Sequence, residues 1–218
     1  MAELGKVFII SGPAGVGKST VCRHLLQHFP RCLKKITTAT TRAPRPGEVN
    51  GVDYCFIDEA TFLKYIAEDK FLEYTNVYGK YFYGTPMAPV LSNIRHGIDS
   101  LLIIDVQGLV NIRKHFRHLL ERMVTIFIIP EDLNVLEERL RARGSESPEG
   151  LVERLKSAKH EMKFVKNYDY VIVSGTGEED LVSMEAIYDL ERTRQGSAAA
   201  AVSPLCFTYV KGQLIPQR

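Results

Sequence analysis

Apolar positions in this chain follow two rhythms. Short, nearly unbroken apolar runs recur at Lys6 to Ile10, Ser100 to Val106, Val124 to Ile129 and Tyr170 to Val173. Runs this short, rich in β-branched residues, predict strands buried on both faces, as in a parallel sheet. Helical spacing separates them. Val21, Leu25, Leu26 and Phe29 share one face of a helix predicted over Ser19 to Phe29. Leu133, Leu136 and Leu140 share another, and Leu151, Leu155, Ala158, Met162 and Val165 a third. Leu181, Met184, Ile187 and Tyr188 make the last. Buried strands alternating with amphipathic helices predict a three-layer α/β core.

The stretch from Lys34 to Gly97 breaks that alternation. It opens with a Thr-rich strand pattern, turns at Pro44-Arg45-Pro46-Gly47, and continues through short aromatic runs at Asp53 to Ile57 and Phe71 to Tyr78. Gly51, Gly79 and Gly84 flank those runs. The pattern predicts a small antiparallel lobe, residues 34–97, inserted into a core of 1–33 and 98–194. Residues 141–153 are charged and include Gly144, Ser145, Ser147, Pro148 and Gly150, which predicts a mobile lid between two helices. Beyond Gln195 the chain reads as a flexible linker and tail over 195–218, with a short docked strand at Leu205 to Val210.

Composition narrows the class. A chain of 218 residues, 45% hydrophobic and 25% charged, can build one core with an inserted lobe. A net charge of +2 gives no reason to expect a nucleic-acid polymer as partner. No apolar run is long enough to span a bilayer, and the first residues lack the basic start of a signal peptide. The four cysteines (Cys22, Cys32, Cys55, Cys206) form no C-x-x-C pair, which fits free thiols in a reducing cytoplasm. The six histidines show no metal-ligand spacing.

Candidate chemistry starts at Gly12-Pro13-Ala14-Gly15-Val16-Gly17-Lys18-Ser19, followed by Thr20. This is the P-loop pattern G-x-x-x-x-G-K-[ST], between a predicted strand and a predicted helix. Backbone N–H groups of such a loop wrap phosphate oxygens, Lys18 reaches the β/γ-phosphates, and the Ser19 hydroxyl suits Mg²⁺. The helix N-terminus adds its dipole to the same anion site. A P-loop does not name a second substrate. In the lobe, Arg42 and Arg45 flank a Pro-stiffened turn within Thr40-Thr41-Arg42-Ala43-Pro44-Arg45-Pro46-Gly47-Glu48. Paired guanidinium forks suit a phosphate, which they bind bidentately.

These motifs, with Gly51-Val52-Asp53-Tyr54, Phe71-Leu72-Glu73-Tyr74, Tyr83-Gly84-Thr85 and Ile104-Asp105-Val106-Gln107-Gly108, make the chain resemble guanylate kinases from Val7 to about Val173. The resemblance implies a P-loop kinase core with a parallel sheet, an inserted small α+β nucleotide-binding lobe and a helical lid. It implies an ATP-dependent, Mg²⁺-assisted phosphorylation of GMP to GDP, and whether dGMP also serves as acceptor is open. Arg42 and Arg45 then match the pair that holds the GMP phosphate, and Tyr54 and Tyr83 match phenols that donate to it. Glu73 matches the guanine reader: guanine presents N1–H and N2–H₂ side by side, and one carboxylate accepts from both. Adenine presents an acceptor at N1, which that carboxylate repels. Thr38 and Thr85 match hydroxyl positions near the base, though either also reads as an ordinary strand threonine. Asp105 matches an acid near both Mg²⁺ and the guanine edge. Arg139, Arg143 and Arg154 match lid-side arginines that act with Lys18 on the transferring phosphoryl group. Arg141 is spaced instead for an ion pair with Glu137.

Three positions depart from the family pattern. Ile103 stands where many members carry an acid. Tyr81-Phe82-Tyr83 holds one residue more than the usual spacing. Ser174-Gly175-Thr176-Gly177 lacks an Asn-Asp pair that many members place near the adenine. Two rival functions remain at the level of sequence. A sugar-phosphate kinase would use Arg42 and Arg45 but leave Glu73 nothing to read. A protein-binding scaffold module would need neither Lys18 nor the arginines. Whether the chain is a monomer or a homodimer is open.

Overall fold

The computed structural model describes residues 4–77, 79–143, 148–194, 207–210 and 213–216. They form two compact units, Met1–Phe8 with Arg31–Met123, and Ile9–Pro30 with Val124–Arg218. The chain passes between them within strand β1 (Val7–Ser11), whose residues are all buried.

In the second unit, β1 runs through the glycine loop into helix α1 (Lys18–His28), which buries Val21, Cys22 and Leu25. The first unit continues with β2 (Leu33–Lys35), β3 (Ala39–Thr40) and β4 (Cys55–Phe56). Helix α2 (Glu59–Ala67) follows, capped where the Asp58 side chain accepts the Thr61 N–H. Then come β5 (Phe71–Val77), β6 (Tyr81–Pro86) and α3 (Met87–Arg95). Strand β7 (Asp99–Ile103), α4 (Val106–His115) and a short 3-10 helix (Arg117–Arg122) complete this unit.

β2 pairs in parallel with β7, Leu33 opposite Asp99. Lys34 and Lys35 therefore belong to this parallel pair rather than to the lobe, whose predicted start moves past them. The lobe itself is a four-stranded sheet in the order β4-β3-β6-β5. It is mixed rather than antiparallel: β3 runs antiparallel to β6, and β6 to β5, but β3 and β4 are parallel. Phe62 of α2 is fully buried and stacks on Phe71 and Phe82, with ring centroids 4.5 and 5.3 Å apart. The strand expected through Val106 ends at Ile103, because Asp105 caps α4 and Val106 is its first residue.

The second unit resumes with β8 (Met123–Pro130), α5 (Leu133–Arg143), α6 (Pro148–Glu161), β9 (Tyr170–Ser174) and α7 (Gly177–Thr193). β8 and β9 are parallel, Ile126 opposite Tyr170. Of the expected lid, residues 141–143 close α5 and 148–153 open α6, so both stretches are helical. Gly144, Ser145 and Ser147 lie outside the described residues. The expected tail strand is present in part. β10 (Phe207–Val210) pairs in parallel with β9, and β11 (Gln213–Pro216) returns antiparallel to β10. The linker from Gln195 to Cys206 lies outside the described residues. Cys22, Cys32 and Cys55 are free thiols. Among the described residues, no helix is long and apolar enough to cross a membrane.

Candidate active site

The glycine loop is built around steric necessity. Gly12 has φ +143°, and a Cβ there would sit 2.2 Å from the Ile128 carbonyl oxygen. Only a residue without a side chain lets the loop leave β1 against β8 this closely. Gly17, at φ +110°, is the N-cap of α1 and supplies no side-chain cap. The Thr20 N–H turns back to the Gly17 carbonyl at 3.0 Å, and the helix start, with the positive end of its dipole, is not covered by a capping side chain. Lys18 Nζ lies 2.5 Å from the Gly12 carbonyl and 2.9 Å from that of Pro13. The ammonium is folded over the loop that it would share with a phosphate. Ser19 and Thr20 are exposed on the first turn.

α5 brings Arg139 to the same loop. Its guanidinium donates to the Val16 carbonyl (3.4 Å), to Ser174 Oγ (3.3 Å) and to the Gly175 carbonyl (3.3 Å). Behind these acceptors lies an acid the sequence reading missed. Asp180 on α7 is 3% exposed and accepts from Ser174 Oγ and Gly175 N, both at 2.9 Å. Burial pushes its carboxyl above the usual range, and the two hydrogen bonds and the Arg139 charge oppose that shift. Asp180 had no sequence signal beyond its place in the first turn of a helix. Arg141 pairs with Glu137 at 2.6 Å, as its spacing predicts. Arg154 is half-buried on α6. The side chain of Arg143 lies outside the description.

The first unit assembles the other candidates on β5 and β6, on the segments that flank β3 and β4, and at the cap of α4. Arg42 is 9% exposed. Its Nε donates to the Tyr83 hydroxyl at 3.2 Å, and its two terminal nitrogens reach the Glu48 carboxylate at 2.9 Å each. The Tyr54 ring lies 5.4 Å from the Arg42 guanidinium carbon, and the Tyr54 and Tyr83 rings meet edge-on at 5.9 Å. Arg45 is half-exposed, close enough to exert its charge on both Tyr54 and Glu48. Burial raises the Tyr54 phenol above its usual range, so it stays a hydrogen-bond donor. Glu48 is the residue whose role the sequence did not disclose. It neutralises Arg42 and also accepts the Arg45 backbone N–H at 2.7 Å. The Arg42 fork holds its carboxyl below the ordinary range. Tyr83, not Tyr81, makes the Arg42 contact; Tyr81 lies under Lys80.

Two residues along β6, on the same strand face as Tyr83, Thr85 is 1% exposed. Its hydroxyl donates to Glu73 Oε1 at 2.5 Å across the β5–β6 ladder. Glu73 is 6% exposed. Burial, with the Asp105 charge in support, lifts its carboxyl to about 7, although the Thr85 bond works against this. Asp105 caps α4, accepting the Gly108 N–H at 2.7 Å. Thr38 is half-buried one residue before Ala39, whose partner is Gly84, and so stands at the Thr85 end of that register. Ile103 is half-buried at the end of β7. Among the described residues, no three His, Cys, Asp or Glu side chains group as a metal cage.

One unit therefore offers a loop and helix start shaped for polyphosphate. The other sets an arginine–tyrosine cluster and a buried carboxylate beside a hydroxyl along neighbouring strands. Comparison with known proteins finds relatives across most of the chain. The family model "Guanylate kinase" matches residues 4–190. A guanylate kinase of Caldanaerobacter subterraneus subsp. tengcongensis is 40% identical over 190 residues, 87% of this chain and 89% of that protein. One from Thermus thermophilus is 41% identical over 198 residues, 91% of this chain and 87% of that protein. The crystal structure of guanylate kinase from Anaplasma phagocytophilum superposes with a TM-score of 0.69 at 33% identity, covering 90% of this chain and 89% of that one. With the loop, the arginine–tyrosine cluster and the buried carboxylate in one chain, and a family model spanning most of it, the chain belongs to the guanylate kinase family.

Proposed function

We propose that this protein transfers the γ-phosphoryl group of ATP to GMP, giving ADP and GDP. The observation that carries the reading is Glu73, a buried carboxylate fixed by Thr85 on the strand pair that also bears Tyr83. Thr85 and Tyr83 are two residues apart, about 7 Å along the strand, a span that suits a base at one end and its phosphate at the other. Arg42, Arg45, Tyr54 and Tyr83 are our choice for the phosphate, and Glu73, Thr85, Thr38 and Asp105 for the base. The Glu73 carboxylate, once ionised, accepts from guanine N1–H and N2–H₂, and an adenine in that place leaves it facing a lone pair.

Gly12 to Thr20 would cradle the donor phosphates, with Lys18 released from the loop carbonyls to the β/γ oxygens. The acceptor needs no general base, because a phosphate monoester is largely a dianion above its second pKa of ~6. Arg139, Arg143 and Arg154 would add positive charge where the transferring group carries its negative charge. The donor set fits Mg²⁺, which keeps several waters and is held mainly by substrate phosphates rather than by a protein cage. Ser19 Oγ, exposed at the helix start, would be its protein ligand, and Asp105 is our candidate outer-sphere carboxylate. When bound, the ion would neutralise phosphate charge.

A coupled assay with ATP, with and without Mg²⁺, and a panel of GMP, dGMP, AMP, UMP and TMP tests this. Turnover is expected with GMP and only in the presence of the metal. Equal or greater turnover of AMP, UMP or TMP would overturn the assignment.

A further inference from the structure

We infer that Gly108 is a positioning residue for guanine selectivity: its missing side chain is the space in which the Glu73 carboxylate stands to read the base. The inference rests on the GMP reading above. Gly108 lies in the first turn of α4, and its N–H serves the Asp105 cap. Its backbone has no positive φ, so conformation alone does not require glycine there. Helix formation argues against glycine, since alanine is favoured by about 1 kcal/mol at helical positions. The requirement comes from the neighbours. A Cβ on Gly108 would lie 2.8 Å from Glu73 Oε2, 3.2 Å from Glu73 Cδ and 3.4 Å from Asp105 Oδ1.

The carboxylate cannot retreat freely. Its other oxygen is held 2.5 Å from the Thr85 hydroxyl, and the side chain is 6% exposed. It is confined between Thr85 on one side and the bare Cα of Gly108 on the other. A methyl group at 108 would meet the far end of a side chain rather than backbone, so the fold has a way to adjust: Glu73 turns. Turning spoils the parallel alignment that accepts two adjacent donors at once. Gly108→Ala therefore separates stability from recognition.

Steady-state kinetics of Gly108→Ala should show KM for GMP up about tenfold, equivalent to 1.4 kcal/mol, with kcat at saturation changed less than about threefold. The preference for GMP over inosine monophosphate, which lacks the 2-amino group, should shrink by a similar factor. The melting temperature should equal or exceed that of the wild type. Glu73→Asp supplies the second arm, since it draws the carboxylate back by one methylene. Gly108→Ala combined with Glu73→Asp should be no worse than Glu73→Asp alone, within about threefold, because the added methyl then has room. Multiplying losses, or an unchanged KM and GMP preference in Gly108→Ala, would overturn the inference while leaving the GMP reading intact. A wild-type enzyme that does not favour GMP over inosine and adenosine monophosphates would overturn both. Should Gly108→Ala melt more than ~5 °C below the wild type, the double variant decides: recovered melting identifies Glu73 as the clash, and unrecovered melting refutes it.

Discussion

At the scale of single residues, Glu73 is an acid kept at odds with its surroundings. Burial, with Asp105 in support, holds its carboxyl at about 7 when no guanine is present. The sign of the consequence follows from proton counting. An ordinary unfolded glutamate titrates near 4.5. Between there and about 7 the folded state holds a proton that the unfolded state has lost, so stability falls as pH rises through that window. Glu73→Gln removes the titration and still leaves an oxygen to accept from Thr85. At pH 8 the ligand-free variant should be more stable than the wild type by on the order of 3 kcal/mol, and at pH 4 the two should converge. The same variant should lose about a hundredfold or more in kcat/KM for GMP. Thermal melts across pH 4 to 8, alongside kinetics at pH 8, check both. A gap that does not widen with pH would mean that Glu73 titrates normally.

At the scale of elements, α5 puts two arginines to opposite uses. Arg139 and Arg141 are two residues apart, on different faces of the helix. Arg139 reaches the Val16 and Gly175 carbonyls, while Arg141 turns back to Glu137 on its own helix. Arg141→Ala should change stability by no more than about 0.5 kcal/mol and leave kcat unchanged, as befits an exposed i,i+4 pair. Arg139→Ala should lower kcat by about a hundredfold or more if it supplies charge to the transferring phosphoryl group. Rapid-quench measurement of the chemical step distinguishes that from a change in product release; equal effects of the two substitutions would refute the assignment.

The strands and helices behind this arrangement were legible because their periods differ. Val7–Ser11, Met123–Pro130 and Tyr170–Ser174 are buried runs, and α5, α6 and α7 carry helical stripes. Partnership was not legible. Leu33–Lys35 has one buried residue in three, yet it pairs with β7, and β3 lies parallel to β4 within a lobe read as antiparallel. Periodicity reports which face is buried, not what covers it. For the same reason Arg42 and Tyr83 stood out in motifs, while the Glu48 counter-charge and the Ser174–Asp180 support of Arg139 depend on folding to meet.

At the scale of the whole molecule, the family model stops at residue 190, while β10 and β11 continue the sheet beyond it. β10 satisfies the outer edge of β9, Phe207 opposite Tyr170 through Val210 opposite Val173. β9 in turn ends at Ser174, one of the groups that holds Arg139. Every residue assigned a part in the reaction nevertheless precedes the hairpin. Shortening the chain after Arg194 should therefore expose a strand edge without removing chemistry. Loss of about 1–3 kcal/mol would lower the melting temperature by roughly 3–10 °C for a protein of this size, and the open β9 edge should raise the tendency to self-associate. Below its melting range the shortened protein should keep kcat and the KM for GMP. Calorimetry, size-exclusion chromatography and kinetics on the same sample read the three effects separately. A fall in kcat with the melting temperature unchanged would place the hairpin in the donor-site machinery, through β9 and Ser174, rather than at the margin of the sheet.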